Sequence, residues 1–285
     1  MEKKPLPSKH VFSHPKALLN QVRRIAIAAG EVTLDYFDEG GYSGADVKGD
    51  GSPVTLADQK AEDLIKAKLL EIAPETPFLG EESVASGEHP DFDVSDFYWC
   101  VDPLDGTKEF ISGSGDYTVN IALIYKDSPV MGVVYAPVHG ELYAGYTSLE
   151  GEQFALRWLE DTGSEKMIHT RRAPREGLTI VASKSHGSGE KLDTFLDGFK
   201  INKLAKRGSS LKICIVAAGK ADIYPRFGPT CEWDTAAADA ILRAAGGMIT
   251  DTQNKPLSYR KKGGNYLNPE FIAWSGDLLP KEAAA

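Results

Sequence analysis

Apolar residues recur along the chain with two periods, and the change from one to the other outlines the fold. Leu18, Val22, Ile25, Ala29, Val32 and Tyr36 follow at steps of three or four, the stripe of a long amphipathic helix. Gly40-Gly41 is the stop expected for it. Leu64, Ile65, Leu69 and Ile72 form the buried face of a second helix that Pro74 ends, with Thr55 as its N-cap and Asp58 in the capping-box position. A short apolar strand, Phe78-Leu79, leads into Gly80-Glu81-Glu82. Residues 97–101 are wholly apolar and rich in aromatics, which predicts a buried strand. Segments 117–125, 130–136 and 141–146 read as successive strands of an antiparallel meander, with turns at Lys126-Asp127-Ser128-Pro129 and His139-Gly140.

The pattern fades over 148–176, which is polar, and the domain boundary is expected inside that stretch. Beyond it strands and helices alternate: strand 178–183, helix 188–199, a strand near 202–206, helix 210–218, strand 221–225, helix 234–245 and strands 248–251 and 271–275. That order argues an α/β second half. The expected organisation is a flexible arm over 1–14, an α+β domain over 15–160 and an α/β domain over 161–285.

Composition narrows the classes. A chain of 285 residues, 42% hydrophobic and 26% charged, has enough apolar surface for a large core. The formal net charge of −9 argues against a nucleic-acid partner, because counterion release needs a basic surface. Cys100, Cys214 and Cys231 are too few and too scattered for a disulfide framework, and no Cys-x-x-Cys pair exists. Apolar runs such as 119–125 and 213–218 are far too short for an integral membrane segment, and the first residues, basic but without an apolar run, are not expected to be a secretory signal. A cytoplasmic protein is expected.

The chemistry is concentrated in a few short motifs. Asp102-Pro103-Leu104-Asp105-Gly106-Thr107 places two carboxylates at the end of an apolar strand, which is costly unless something pairs with them. A hard cation would do so, with the Leu104 carbonyl as a further oxygen ligand. A plain Asp-Pro-x-Asp-Gly turn is the alternative. Gly80-Glu81-Glu82 adds carboxylates at another strand end, or is a surface pair. Asp234, in Trp233-Asp234-Thr235-Ala236-Ala237-Ala238, is either a helix N-cap or a ligand delivered from the second half. Asp58 is either a capping residue or a carboxylate that helps activate water. Gly208-Ser209-Ser210-Leu211-Lys212 opens a helix whose free N–H groups and lysine suit an anion, or is an ordinary Ser-capped start. His186 and Arg226 complete the set, arginine being well suited to phosphate. Carboxylates at several element ends, with basic groups beside an anion seat only in the second half, suit metal-assisted chemistry on a phosphate ester.

These motifs resemble a known family. Trp99-x-Val101-Asp102-Pro103-Leu104-Asp105-Gly106-Thr107-x-x-Phe110 and Trp233-Asp234-x-Ala236-Ala237-Ala238, running on to Ala244-x-Gly246-Gly247, look like the two signatures of the inositol monophosphatase superfamily. Gly80-Glu81-Glu82 and Thr55-x-x-Asp58 match its upstream motifs in order, and the likeness covers roughly residues 15–275. Ser183-Lys184-Ser185-His186, Gly208 to Lys212 and Tyr224-Pro225-Arg226-Phe227-Gly228-Pro229 resemble the bacterial 3′(2′),5′-bisphosphate nucleotidase branch, the CysQ type.

The resemblance implies a layered αβαβα sugar-phosphatase fold, an α/β (α+β) class with an antiparallel-sheet first domain. It implies removal of the 3′-phosphate from adenosine 3′,5′-bisphosphate in sulfur assimilation, with phosphoadenylyl sulfate as a second substrate. It also implies two or three Mg²⁺ ions held by Glu81, Asp102, Leu104, Asp105 and Asp234, and inhibition by lithium. Asp58, Thr107 and Glu81 would be catalytic. Gly106, Thr107, His186, Ser209, Lys212, Arg226 and Asp234 would bind a small nucleotide bisphosphate. A monomer or homodimer is expected; relatives raise peripheral association at the inner membrane, but no amphipathic anchor here demands it. The alternatives are an inositol monophosphatase or fructose-1,6-bisphosphatase, and a catalytically silent nucleotide sensor.

Overall fold

The computed structural model describes residues 12–40, 46–47, 53–54, 56–183 and 189–284. Helix α1 (Pro15–Leu34) starts with a proline, whose missing N–H would have had no partner there in any case. It stops at Leu34 rather than at Gly40-Gly41. The reason is tertiary: Tyr36 and Phe37 leave the helical stripe to pack with Phe110 and Tyr117. Helix α2 (Leu56–Ile72) ends before Pro74 as expected, while Thr55, its expected cap, lies outside the described residues. Strands β1 (Asp46–Val47) and β2 (Pro53–Val54) form a two-stranded antiparallel pair.

The main sheet has seven strands in sequence order: β3 (Phe78–Gly80), β4 (Phe97–Asp105), β5 (Thr118–Tyr125), β6 (Ser128–Ala136), β7 (Glu141–Thr147), β8 (Gln153–Leu159) and β9 (Glu165–Met167). Only the first pair, β3 with β4, is parallel; the rest is the antiparallel meander. Strands β8 and β9 fall in the stretch that the sequence shows as polar and unpatterned. Of the two, β9 is the edge strand and β8 its neighbour, and an exposed flank there needs no continuous apolar run; all of β9 is exposed. Arg23 of α1 pairs with Glu165 across this edge at 2.7 Å. The end of the expected flexible arm is docked, since Phe12 is buried and its ring lies 6.0 Å from that of Phe97.

Short helices α3 (Glu81–Ala85) and α4 (Thr107–Ile111) follow β3 and β4 directly. The second sheet contains β10 (Leu178–Ser183), β11 (Ile201–Arg207), β12 (Ile223–Arg226), β13 (Met248–Asp251) and β14 (Phe271–Trp274), in the order β11-β10-β12-β14-β13. Three helices alternate with these strands: α5 (Glu190–Leu196), α6 (Leu211–Ala217) and α7 (Glu232–Ala244).

Alternation along β4 shows how the layers stack. Phe97, Trp99 and Val101 face α1 and α2 in a cluster with Val22, Ile65 and Leu69. Tyr98 and Cys100 face the other way, in a cluster with Ile213 of α6 and Ala236, Ala237 and Ile241 of α7. Helix α7 can lie close to the sheet because Ala236, Ala237 and Ala238 are small and Gly132 faces Ala237. A Cβ at Gly132 would stand 2.0 Å from the Ala237 carbonyl oxygen. The second sheet turns Val181, Tyr224 and Phe271 toward this middle layer. Its other face packs Ile180, Ile223 and Trp274 against Phe195 and Leu196 of α5. The layers are thus αβαβα, as the resemblance implied. Among the described residues no helix is long and apolar enough to cross a membrane.

Candidate active site

Because β3 and β4 run parallel, their C-terminal ends open at one edge of the sheet. Glu81 follows β3 there as the first residue of α3, and Asp102 and Asp105 close β4. Two residues three apart in a regular strand point to opposite faces. Here they do not, because the register slips: Asp102 stands opposite Asn120, whereas Asp105 stands opposite Thr118. One extra residue in β4 makes a bulge, and Pro103, which lacks an N–H, belongs where the ladder is broken. Both carboxylates therefore emerge on the face toward α6 and α7. The strand runs on through Asp105, so the motif is not a free turn.

Helix α7 brings the third carboxylate. Asp234 is not the N-cap; Cys231 is, and Asp234 sits three residues on, where its Oδ2 accepts the Cys231 N–H at 2.7 Å. The Cys231 thiol in turn accepts the Asp234 N–H, a capping box built on sulfur. Oxygens of Asp102, Asp105 and Asp234 all lie within 4.8 Å of one another. Asp102 is buried, its Oδ1 takes the Leu104 N–H at 3.0 Å, and its Oδ2 has no hydrogen-bond partner. Burial pushes the Asp102 carboxyl well above the usual range, and the charges of Glu81, Asp105, Asp234 and Asp58 push the same way. Desolvation, then Asp105 and Glu81, raise Asp234 to about 7. Such a cluster is costly without a counter-charge, and its all-oxygen donor set, with one orphaned buried oxygen, fits a hard divalent cation.

The other expected residues fall around this cluster. Asp58, fully buried in the first turn of α2, is close enough for its charge to act on Asp102. Gly106 and Thr107 begin α4, and the Thr107 hydroxyl donates to the Leu104 carbonyl at 3.4 Å. Ser209 reaches the carboxylate cluster: its Oγ donates to Asp105 Oδ2 at 2.6 Å, and the Ser210 N–H donates to the same oxygen at 2.7 Å. The backbone of Ser209 is left-handed, with φ 53°. Lys212 is buried in α6 with its Nζ 5.6 Å from the Tyr224 ring centre, and burial lowers its amine to about 8 against the pull of Asp105. Arg226 ends β12; its Nη2 donates to the Pro229 carbonyl at 3.1 Å and its buried Nε has no partner. His186 lies outside the described residues.

Two polar residues near Asp105, Thr118 and Asn120, were not among those expected. Ser210 Oγ lies 2.9 Å from Thr118 Oγ1 and donates to Asn120 Oδ1 at 2.8 Å, so β5 supports the turn that holds Asp105. The signal was present: Thr118 and Asn120 are the polar positions of an otherwise apolar strand.

The model of the inositol monophosphatase family matches residues 15–276. The chain belongs to that family. Among its members, the 3′(2′),5′-bisphosphate nucleotidase CysQ of Escherichia coli K12 is 43% identical over 259 residues, which span 89% of this chain and 98% of the relative. The crystal structure of CysQ from Bacteroides thetaiotaomicron superposes with a TM-score of 0.75 at 38% identity, covering 92% of this chain and 98% of that one. An inositol monophosphatase from Zymomonas mobilis gives a TM-score of 0.71 at 27% identity, covering 93% and 95%. Inositol monophosphatase family proteins are metal-dependent, which agrees with the acidic cluster of this chain.

Proposed function

We propose that the chain is a Mg²⁺-dependent 3′(2′),5′-bisphosphate nucleotidase that hydrolyses adenosine 3′,5′-bisphosphate to AMP and phosphate. The observation that carries this reading is the carboxylate cluster of Asp102, Asp105 and Asp234 with two cationic side chains, Lys212 and Arg226, close by. The likeness to nucleotidases of the CysQ type supports the choice of substrate.

Glu81, Asp102, the Leu104 carbonyl, Asp105 and Asp234 would hold two or three Mg²⁺ ions. Bound there, the metal supplies positive charge at the phosphate and lowers the pKa of water. Asp58 and Thr107 orient the attacking water and accept its proton. Water oxygen joins phosphorus as the bond from phosphorus to the ribose 3′-oxygen breaks, and that oxygen leaves with a proton. The Gly106 and Thr107 amides hold phosphate oxygens. Ser209, Lys212, Arg226 and His186 read the nucleotide and its 5′-phosphate. Phosphoadenylyl sulfate, which carries the same 3′-phosphate, is a second substrate.

In this reading residues 15–160 supply most of the metal centre, while 161–285 supply Asp234 and the nucleotide contacts. The protein acts in the cytoplasm in sulfur assimilation, as a monomer or homodimer. A panel of adenosine 3′,5′-bisphosphate, inositol 1-phosphate and fructose 1,6-bisphosphate, scored by phosphate release, tests it. Preference for the nucleotide is expected. Preference for either sugar phosphate would reject the specificity, and saturable nucleotide binding without phosphate release would make the chain a sensor.

A further inference from the structure

Glu62 is a buried carboxylate outside the set just described. It lies on α2 one turn beyond Asp58, on the same helical face. Its side chain reaches α3: Oε1 accepts the Ser83 N–H at 2.6 Å and Oε2 accepts the Glu82 N–H at 2.8 Å. These are amides of the first turn of the helix that begins with Glu81, whose N-cap, Gly80, has no side chain to offer them. Glycine at position 80 is what admits the carboxylate, since a Cβ there would stand 2.5 Å from Glu62 Oε2. One turn further along α2, Lys66 donates to Ser83 Oγ at 3.1 Å and pairs with Glu88 at 2.5 Å. Positions 58, 62 and 66 thus form one row, the first beside the carboxylate cluster and the next two gripping the helix that carries Glu81.

A serine or asparagine at position 80 would cap α3 without burying a charge. The chain instead spends a carboxylate that is only 3% exposed, close to an already acidic centre. What a local cap does not supply, and Glu62 does, is a rigid link between α2 and α3. We propose that Glu62 is a positioning residue that fixes Glu81 relative to Asp58, and so sets the affinity of the site for its divalent cation without touching the ion. This rests on the metal-dependent reading of the carboxylate cluster.

Calorimetric titration with Mg²⁺, alongside kcat at saturating Mg²⁺, tests the link in Glu62→Gln, Asp105→Asn and the unaltered protein. Glutamine keeps the shape but turns an NH₂ toward one of the two amides, so the clamp fails. Outer residues that orient metal ligands are typically worth about 10–100-fold in metal affinity. Glu62→Gln should therefore bind Mg²⁺ at least about tenfold more weakly, with kcat at saturating metal within about threefold of normal. Unchanged Mg²⁺ affinity would overturn the assignment, and so would a loss of kcat at saturating metal as deep as that of Asp105→Asn. Should Glu62→Gln not fold, Glu62→Asp carries the same test, because its oxygens withdraw by one methylene. Weakened affinity with kcat kept supports the link; unchanged affinity rejects it. An unaltered protein that binds no Mg²⁺ would overturn the metal reading itself.

Discussion

Two of the carboxylates on helix α7, Asp239 and Asp234, have opposite surroundings. Asp239, in its middle, is fully buried and answered by protein: Arg243 Nε and Nη2 each lie 3.1 Å from a carboxylate oxygen, and the Tyr259 hydroxyl donates at 3.0 Å. Asp234, at the N-terminal end, has the Cys231 N–H on one oxygen, with Asp102 and Asp105 as neighbours. Asp222 repeats the first case, held by Arg171 at 2.6 and 2.8 Å, and Glu232 is held by Lys261 at 3.2 Å. Asp239, Asp222 and Glu232 thus each meet a cation of the protein. At the end of β4 and the start of α7, Asp102, Asp105 and Asp234 instead face one another. A buried acid with a guanidinium is structure; carboxyls raised by burial and then by neighbouring acids, as at Asp102 and Asp234, mark a site suited to a cation.

Exchanging one acid of each kind tests that contrast. Asp105→Asn should lower kcat by more than about 10³, the scale of losing a strong electrostatic stabiliser. It should leave the melting temperature of the metal-free protein unchanged or raised, because a like charge is removed. Steady-state kinetics and a thermal melt check both halves. Asp239→Asn should do the reverse, costing about 3 kcal/mol in urea unfolding by stranding Arg243, while the folded fraction keeps near-normal kcat. If Asp239→Asn silences the enzyme at full stability, the contrast fails.

Lys212→Ala comes next. It should raise KM for adenosine 3′,5′-bisphosphate roughly tenfold, as for one lost hydrogen bond to a charged group, with little change for inositol 1-phosphate. Equal loss on both would reject its role in specificity. The smallest effect concerns pH. The folded pKa of Asp234, about 7, lies above the roughly 3.9 of an unfolded aspartate. The metal-free fold therefore keeps a proton that the unfolded chain releases. Its contribution to stability falls as pH rises from about 4 to about 7 and is level above. Between those limits the melting temperature of the metal-free protein should drop by a few degrees more than that of Asp234→Asn, and Mg²⁺ should restore most above pH 7.

Much of this was legible in the sequence, for reasons that differ by element. Buried strands such as 97–101 and helices such as α2 and α7 carry strong periodicity, and short-range motifs such as Asp102 to Thr107 announce their own chemistry. Strands β8 and β9 were missed because the edge strand β9 is wholly exposed and β8 beside it is only partly buried, so neither needs a continuous apolar run. The end of α1 was misplaced because the packing of Phe37 on Phe110 and Tyr117, distant in the chain, outweighs a glycine signal. The bulge that turns Asp102 and Asp105 to one face depends on register with β5, which no local spacing encodes. Nor does spacing show that Ser209 and Ser210, more than a hundred residues further along, close on Asp105.

The account stands on a divalent cation held between the two halves of the chain. Its most direct test is anomalous scattering from crystals soaked in Mn²⁺, a hard cation that such oxygen sites accept in place of Mg²⁺. The account predicts anomalous density between Asp102, Asp105 and Asp234, lost in Asp105→Asn. Manganese bound only elsewhere, with these carboxylates in contact with protein and water alone, would contradict it.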